Sequence, residues 1–217
     1  MSCDGLLKVL CLHGYRQTEK IFRDRTGALR KILKKYCQLV YITAPNVIPS
    51  ADNDEENSKQ TGWWFSTENK LYVAQDVTDC CVGFKESLET VCQILKQDGP
   101  FDGIIAFSQG ACLLSIICSL KEKGDERFQN LKFAVFFAGF KSRQSQHKCY
   151  YEVPITIPSL HVIGDTDQVI QKEMSDDLLD AFTNKTIVRH TGGHFIPTTA
   201  PQKNAYIEFL KPFMNRK

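Results

Sequence analysis

The chain has no long hydrophobic run. No stretch of its 217 residues approaches the roughly 20 apolar residues that a membrane-spanning helix needs, so no integral membrane contact is expected. Met1-Ser2-Cys3-Asp4-Gly5 lacks the basic and then apolar segments of a secretory leader. Charge of one sign is scarce too: the formal net charge is +2, which argues against an extended nucleic-acid surface. The basic residues Arg23, Arg25, Arg30, Lys31, Lys34 and Lys35 do cluster, but on a predicted amphipathic helix, where they read as a solvated face. There is no G-x-G-x-x-G after the first strand, which excludes a dinucleotide-dependent reductase. There is neither H-E-x-x-H nor C-x-x-C, so neither a metal nor a cofactor is expected. Internal repeats and long linkers are missing as well, and residues 1–217 read as one domain.

Nine cysteines are present, an odd number, and several (Cys11, Cys37, Cys112, Cys118) fall inside apolar segments. Free buried thiols in a reducing compartment are the simplest account, and a cytoplasmic location is the expectation. Cys80 and Cys81 are adjacent, where a mutual disulfide would be strained, and read as reduced thiols.

Apolar strands alternate with helices along the chain. Leu6–Leu12, Gln38–Ile42, Phe101–Phe107, Phe133–Ala138, Ser159–Ile163 and Thr186–His190 read as strands. Helices are predicted over about 18–36, 78–96, 109–123, 173–182 and 200–214. That alternation predicts an α/β protein: a doubly wound, mainly parallel sheet with helices on both faces. Residues 47–77 interrupt the rhythm with an acidic stretch at 50–58, followed by Gly62-Trp63-Trp64-Phe65. A long excursion with an aromatic patch predicts a lid or pocket wall.

Ser108 carries the strongest chemical signal. A buried strand leads into Ser108-Gln109-Gly110 and then into an apolar helix. A serine on a sharp strand-to-helix turn has its hydroxyl lifted above the sheet, beside the free N–H groups of a helix start. Such a hydroxyl needs a base, and the base needs an orienting acid. His194 follows Gly192-Gly193 in the loop between the last strand and last helix, and is the best base. His161 and His190 lie in predicted strands, His147 in a polar loop, and His13 in a position better suited to shaping a loop. Asp165 and Asp167 compete for the acid; Asp167 stands farther into the loop and is preferred. The order Ser, Asp, His is that of α/β-hydrolases. Backbone N–H groups of Gln109 and Tyr15 are the candidate oxyanion donors, with Gly14 letting the loop approach. Trp63, Trp64, Phe65, Phe140, Phe195 and Ile196 are candidate substrate contacts suited to an acyl chain. No Arg or Lys lies beside Ser108, Asp167 or His194 in sequence, so no dedicated clamp for an anionic head group is expected; Arg16 is the one exception to test.

The segments Leu10-Cys11-Leu12-His13-Gly14-Tyr15-Arg16-Gln17, Gly62-Trp63-Trp64, Pro100 to Gly110, His161 to Asp167 and Gly192 to Pro197 resemble the FSH family of serine hydrolases, within the α/β-hydrolase superfamily. The resemblance covers nearly the whole chain. It implies a catalytic triad of Ser108, Asp167 and His194 and a carboxylesterase acting on small-molecule acyl esters; some fungal members are thioesterases. Ala106 departs from the usual elbow motif, which has Gly two residues before the serine. A pocket that binds ligand without chemistry is the competing expectation, and its usual signature, a lost triad member, is not seen.

Overall fold

The computed structural model describes residues 5–49 and 60–214. Strands β1 (Leu7–Leu12), β2 (Cys37–Ile42), β5 (Gly103–Phe107), β6 (Phe133–Phe137), β7 (Ser159–Gly164) and β8 (Lys185–His190) form a six-stranded sheet, every pair parallel. The order is β2-β1-β5-β6-β7-β8. After β2 the chain returns across β1 to begin β5 on its other side. The carboxyl ends of β1 and β5 therefore lie side by side where the strand order reverses, with Leu12 opposite Ala106. Open α/β sheets build their ligand sites at this point.

Helices α1 (Glu19–Arg25), α2 (Gly27–Leu33), α3 (Phe84–Gln97), α4 (Gln109–Glu122), α5 (Lys172–Asp180) and α6 (Ala200–Met214) cover the sheet. Phe107 and Phe137 are register partners and so share a face. Phe22 of α1 stacks on Phe107, and Tyr206 of α6 meets Phe137 edge-on. Phe136 points the other way, against His161 and Phe182. Both faces of β5 and β6 are buried, which is why their sequences run apolar without alternation. Helix α4 is buried continuously from Gln109 to Ser119, as a central helix must be. Gly110 allows its close approach: a Cβ there would stand 2.5 Å from His13 O and 2.7 Å from Leu12 O.

Two predicted helices differ. The segment 18–36 is two helices, because the Thr26 hydroxyl bonds to Phe22 O at 2.7 Å and Thr26 becomes the junction between them. The segment 78–83 is not helical. It pairs in bridges with Phe65 and Gln144, and Gly83, at φ 86°, starts α3. The 47–77 excursion contains a short antiparallel ribbon, β3 (Asn46–Val47) with β4 (Thr61–Gly62), and its acidic stretch lies outside the described residues.

Candidate active site

Ser108 stands between β5 and α4 with φ 54° and ψ −117°, a backbone state that costs a non-glycine residue about 1–3 kcal/mol. The surroundings hold it there. Ser108 N–H donates to Phe137 O at 2.9 Å, and Cys112 N–H donates back to Ser108 O at 2.9 Å. Ala106 is fully buried, paired with Leu12 and Phe136, so its methyl packs within the sheet.

The loops after β7 and β8 meet backbone to backbone. A Cβ on Gly164 would lie 2.6 Å from both Gly192 O and Gly193 O. Thr166 N–H and hydroxyl tie to Gly192 O and Thr191 O. This contact brings Asp167 to His194: His194 Nδ1–H donates to Asp167 Oδ2 at 2.7 Å. The Ser108 hydroxyl reaches His194 Nε2 at 3.1 Å. The three predicted residues thus form one hydrogen-bonded chain from a hydroxyl to a carboxylate. A base so placed can take the serine proton, and the carboxylate fixes the ring with Nε2 free to accept it. Asp165 points away and pairs with Arg189 at 3.6 Å.

Asp167 is buried, which pushes its carboxyl up. The His194 bond and the Ile170 and Val169 amides, at 2.8 Å each, outweigh that effect, and the net shift is downward. The carboxyl is therefore an anion at neutral pH. His13 is no base: burial lowers it to about 4. Its Nδ1–H donates to Gly14 O at 2.7 Å and its Nε2 accepts from Ala44 N–H at 2.9 Å, so it braces the loop after β1. His161 is lowered to about 3 and His147 to about 4, both by burial first. Gln109 opens α4, so its N–H has no helical acceptor. Among the described residues Tyr15 N–H has no backbone acceptor either, whereas the next amide, Arg16, donates to Thr61 O at 3.0 Å. Gly14 fits against Phe107 and Ser108; a Cβ would stand 2.9 Å from the Phe107 ring.

A cleft of about 570 Å³ opens over Ser108 and His194. Of the predicted substrate contacts, Phe195 and Ile196 line it, and Phe195 is 53% exposed at its mouth. Trp63, Trp64, Phe65 and Phe140 do not. All four are buried, at 2% exposure or less. The two tryptophans brace the site from behind. The Gln109 side chain accepts from Trp63 N–H at 2.9 Å and donates to Trp64 O at 2.7 Å, and the Trp63 indole donates to His13 O at 2.8 Å. Residues 61–66 of the excursion are thus buried, whereas Leu71, Val73 and Val77 beyond them are exposed, and none of residues 60–77 lines the cleft. The excursion touches the cleft-lining residues at several points: the Thr61 hydroxyl donates to Gln17 O at 2.9 Å, Tyr72 packs on the Tyr15 ring, and the Gln75 amide donates to Val169 O at 2.6 Å. Sequence reasoning missed Gln17, Phe22, Arg25, Thr26, Phe107 and Val169 as lining residues. Phe22 and Phe107 carried a core signal, and Arg25 sat among apparently solvated charges. Arg16, by contrast, lies over the Tyr15 ring at 5.7 Å and outside the cleft lining.

The family model described as serine hydrolase (FSH1) matches residues 1–206. The chain belongs to that family. It is 46% identical to esterase OVCA2 of Xenopus tropicalis, over 96% of this chain and 94% of that one. It is 40% identical to esterase OVCA2 of Homo sapiens, over 98% and 99%. Among solved structures it resembles acyl-protein thioesterase 2 of Zea mays, with a TM-score of 0.63 and 19% identity, covering 97% of this chain and 94% of that one. At that identity the likeness establishes the α/β-hydrolase fold alone. Family membership makes the protein a carboxylic ester hydrolase, with a small-molecule ester as its substrate.

Proposed function

We propose that the protein is a serine carboxylesterase for acyl esters with an apolar, long acyl group, working through an acyl-serine intermediate. The hydrogen-bonded chain Ser108–His194–Asp167 carries this reading. Ser108 Oγ attacks the ester carbonyl carbon while His194 Nε2 takes its proton. Asp167 keeps the imidazole in the right tautomer and stabilises the imidazolium. The tetrahedral oxygen collects its negative charge between the N–H groups of Gln109 and Tyr15. On collapse the C–O bond to the alcohol breaks and His194 returns the proton to the leaving oxygen. Water then attacks the acyl-serine carbonyl, again losing its proton to His194; the acyl C–O bond to Ser108 Oγ breaks, His194 returns the proton to Oγ, and the acid departs.

The acyl preference rests on Phe22, Phe107, Val169, Phe195 and Ile196, which give the cleft an apolar wall. The same steps would cleave a thioester. The cytoplasm suits the protein, since its described cysteines are all free and most are buried. The test is hydrolysis of p-nitrophenyl esters from acetate to palmitate by wild type and Ser108→Ala. Serine-dependent turnover rising with chain length is the expected result. Turnover that survives in Ser108→Ala, or an optimum at acetate, would overturn it.

A further inference from the structure

Gly62 and Trp63 touch both residues whose main-chain N–H groups are assigned to the tetrahedral oxygen, yet neither lines the cleft. A Cβ on Gly62 would stand 2.9 Å from the Tyr15 ring and 3.3 Å from Gln109 Oε1. Trp63 bonds to each side. Its main-chain N–H donates to Gln109 Oε1 at 2.9 Å, and its indole N–H donates at 2.8 Å to the carbonyl of His13, two residues before Tyr15. Thr61 completes the tie to the loop after β1: Arg16 N–H donates to Thr61 O at 3.0 Å, and Thr61 N–H donates to Gln17 O at 3.1 Å. The backbone is strained beside both donors. Ser108, just before Gln109, has φ 54°, and Arg16, just after Tyr15, has φ 61°. Non-glycine residues keep such states only where their surroundings hold them. Trp64 is equally buried, but its indole nitrogen has no partner among the described residues.

We infer that Trp63 is a positioning residue for ester hydrolysis, a strut that sets the spacing of the Gln109 and Tyr15 N–H groups and so acts on kcat without touching substrate. The inference rests on the reading above, in which those two groups hold the oxyanion. The donors come from elements far apart in sequence, the start of α4 and the loop after β1. Trp63 joins them through one main-chain and one side-chain bond. Oxyanion donors act when fixed about 2.7–3.1 Å from the place the charged oxygen will occupy. A shift of about 1 Å can cost about 100-fold in rate. Ground-state contacts with substrate belong to the cleft wall, which Trp63 does not form, so its loss falls on the transition state. The role also explains an aromatic motif in a segment that lines no part of the cleft.

The test is a matched pair, Trp63→Phe and Trp64→Phe. Each trims a buried indole to a phenyl ring, but only Trp63→Phe removes a hydrogen bond to the loop that carries Tyr15. With p-nitrophenyl laurate, Trp63→Phe should lower kcat by about tenfold to a hundredfold and leave KM within about twofold of wild type. Trp64→Phe, with a similar fall in Tm, should keep kcat within about threefold. Dodecyl trifluoromethyl ketone, a transition-state mimic, gives a second readout. Ser108 Oγ adds to its carbonyl carbon, the π pair becomes the oxyanion, and the serine proton passes to His194. Its Ki should rise in Trp63→Phe by the factor by which kcat/KM falls. Gln109→Met cuts the other end of the strut and keeps the main-chain N–H. It should lower kcat as well, and Trp63→Phe added to it should cost no more than about threefold further. Unchanged kcat or Ki in Trp63→Phe, equal losses in the two tryptophan variants, or fully multiplicative losses in the double variant would overturn the inference, and Ser108-dependent turnover would leave the esterase reading intact. Turnover that survives in Ser108→Ala would overturn that reading and the inference with it.

Discussion

Acid should weaken this fold well before its carboxylates titrate. His13 and His161 are both essentially without solvent contact, and burial lowers them to about 4 and about 3. In the unfolded chain each returns to about 6.5. Between pH 6.5 and the native values the unfolded state binds more protons, so stability falls as pH falls through that window. At pH 5 each group should remove about 2 kcal/mol relative to pH 7, a large part of a typical 5–15 kcal/mol total. Asp167 acts in a separate window. Its native pKa is depressed, so its contribution is present above the unfolded value near 4 and is lost only as pH falls below that. Urea unfolding followed by the fluorescence of the two buried tryptophans would measure the slope. His161 stacks on Phe136 at 4.5 Å and bonds to the Ser159 hydroxyl at 3.0 Å. His161→Gln should therefore be less stable than wild type at pH 7, and the gap should narrow by about 2 kcal/mol by pH 5. A constant gap, or a wild-type stability flat from pH 7 to 5, would refute the assignment of buried neutral histidines.

Asp167→Asn should lower kcat by about 10⁴-fold, the size seen in the serine-protease template, because the amide stabilises the wrong His194 tautomer. Steady-state kinetics with KM nearly unchanged would agree, and a loss under tenfold would not. Gly110→Ala should abolish folded, labelable enzyme, since its Cβ would press on the main-chain oxygens of Leu12 and His13; a Tm within a few degrees of wild type would count against this. Trp64→Ala should cost about 3–5 kcal/mol of stability, whereas Phe195→Ala should leave Tm nearly unchanged and raise KM for long acyl esters. Thermal melts and chain-length kinetics on the two variants distinguish core from cleft.

Elements held by local pattern were legible in the sequence. The strands could be read from short apolar runs bounded by turn residues, and α6 from its helical spacing. The Ser108 turn was legible because strand, serine, small residue and helix follow one another within the chain. Asp167 and His194 were reachable because each lies a few residues beyond a strand end. What escaped depends on long-range contact. The tryptophans follow an acidic stretch and read as a lid or pocket wall, but Gln109, 45 residues away from Trp64, clasps their backbone and turns them inward. Gln17 carries no local signal, and Arg25 carries only that of a solvated helix face. They enter the cleft only because β1 and β5, distant in sequence, end beside each other at the reversal of strand order. The break at Thr26 depends on a side-chain bond that hydrophobic periodicity does not register.

The central claim is that Ser108 becomes a nucleophile through His194. Labelling with a fluorophosphonate, with the modified peptide located by mass spectrometry, tests it most directly. The account predicts one adduct, on Ser108, formed rapidly by wild type and slowed by at least about 10³-fold in His194→Gln. An adduct on another residue, or undiminished labelling without His194, would contradict it.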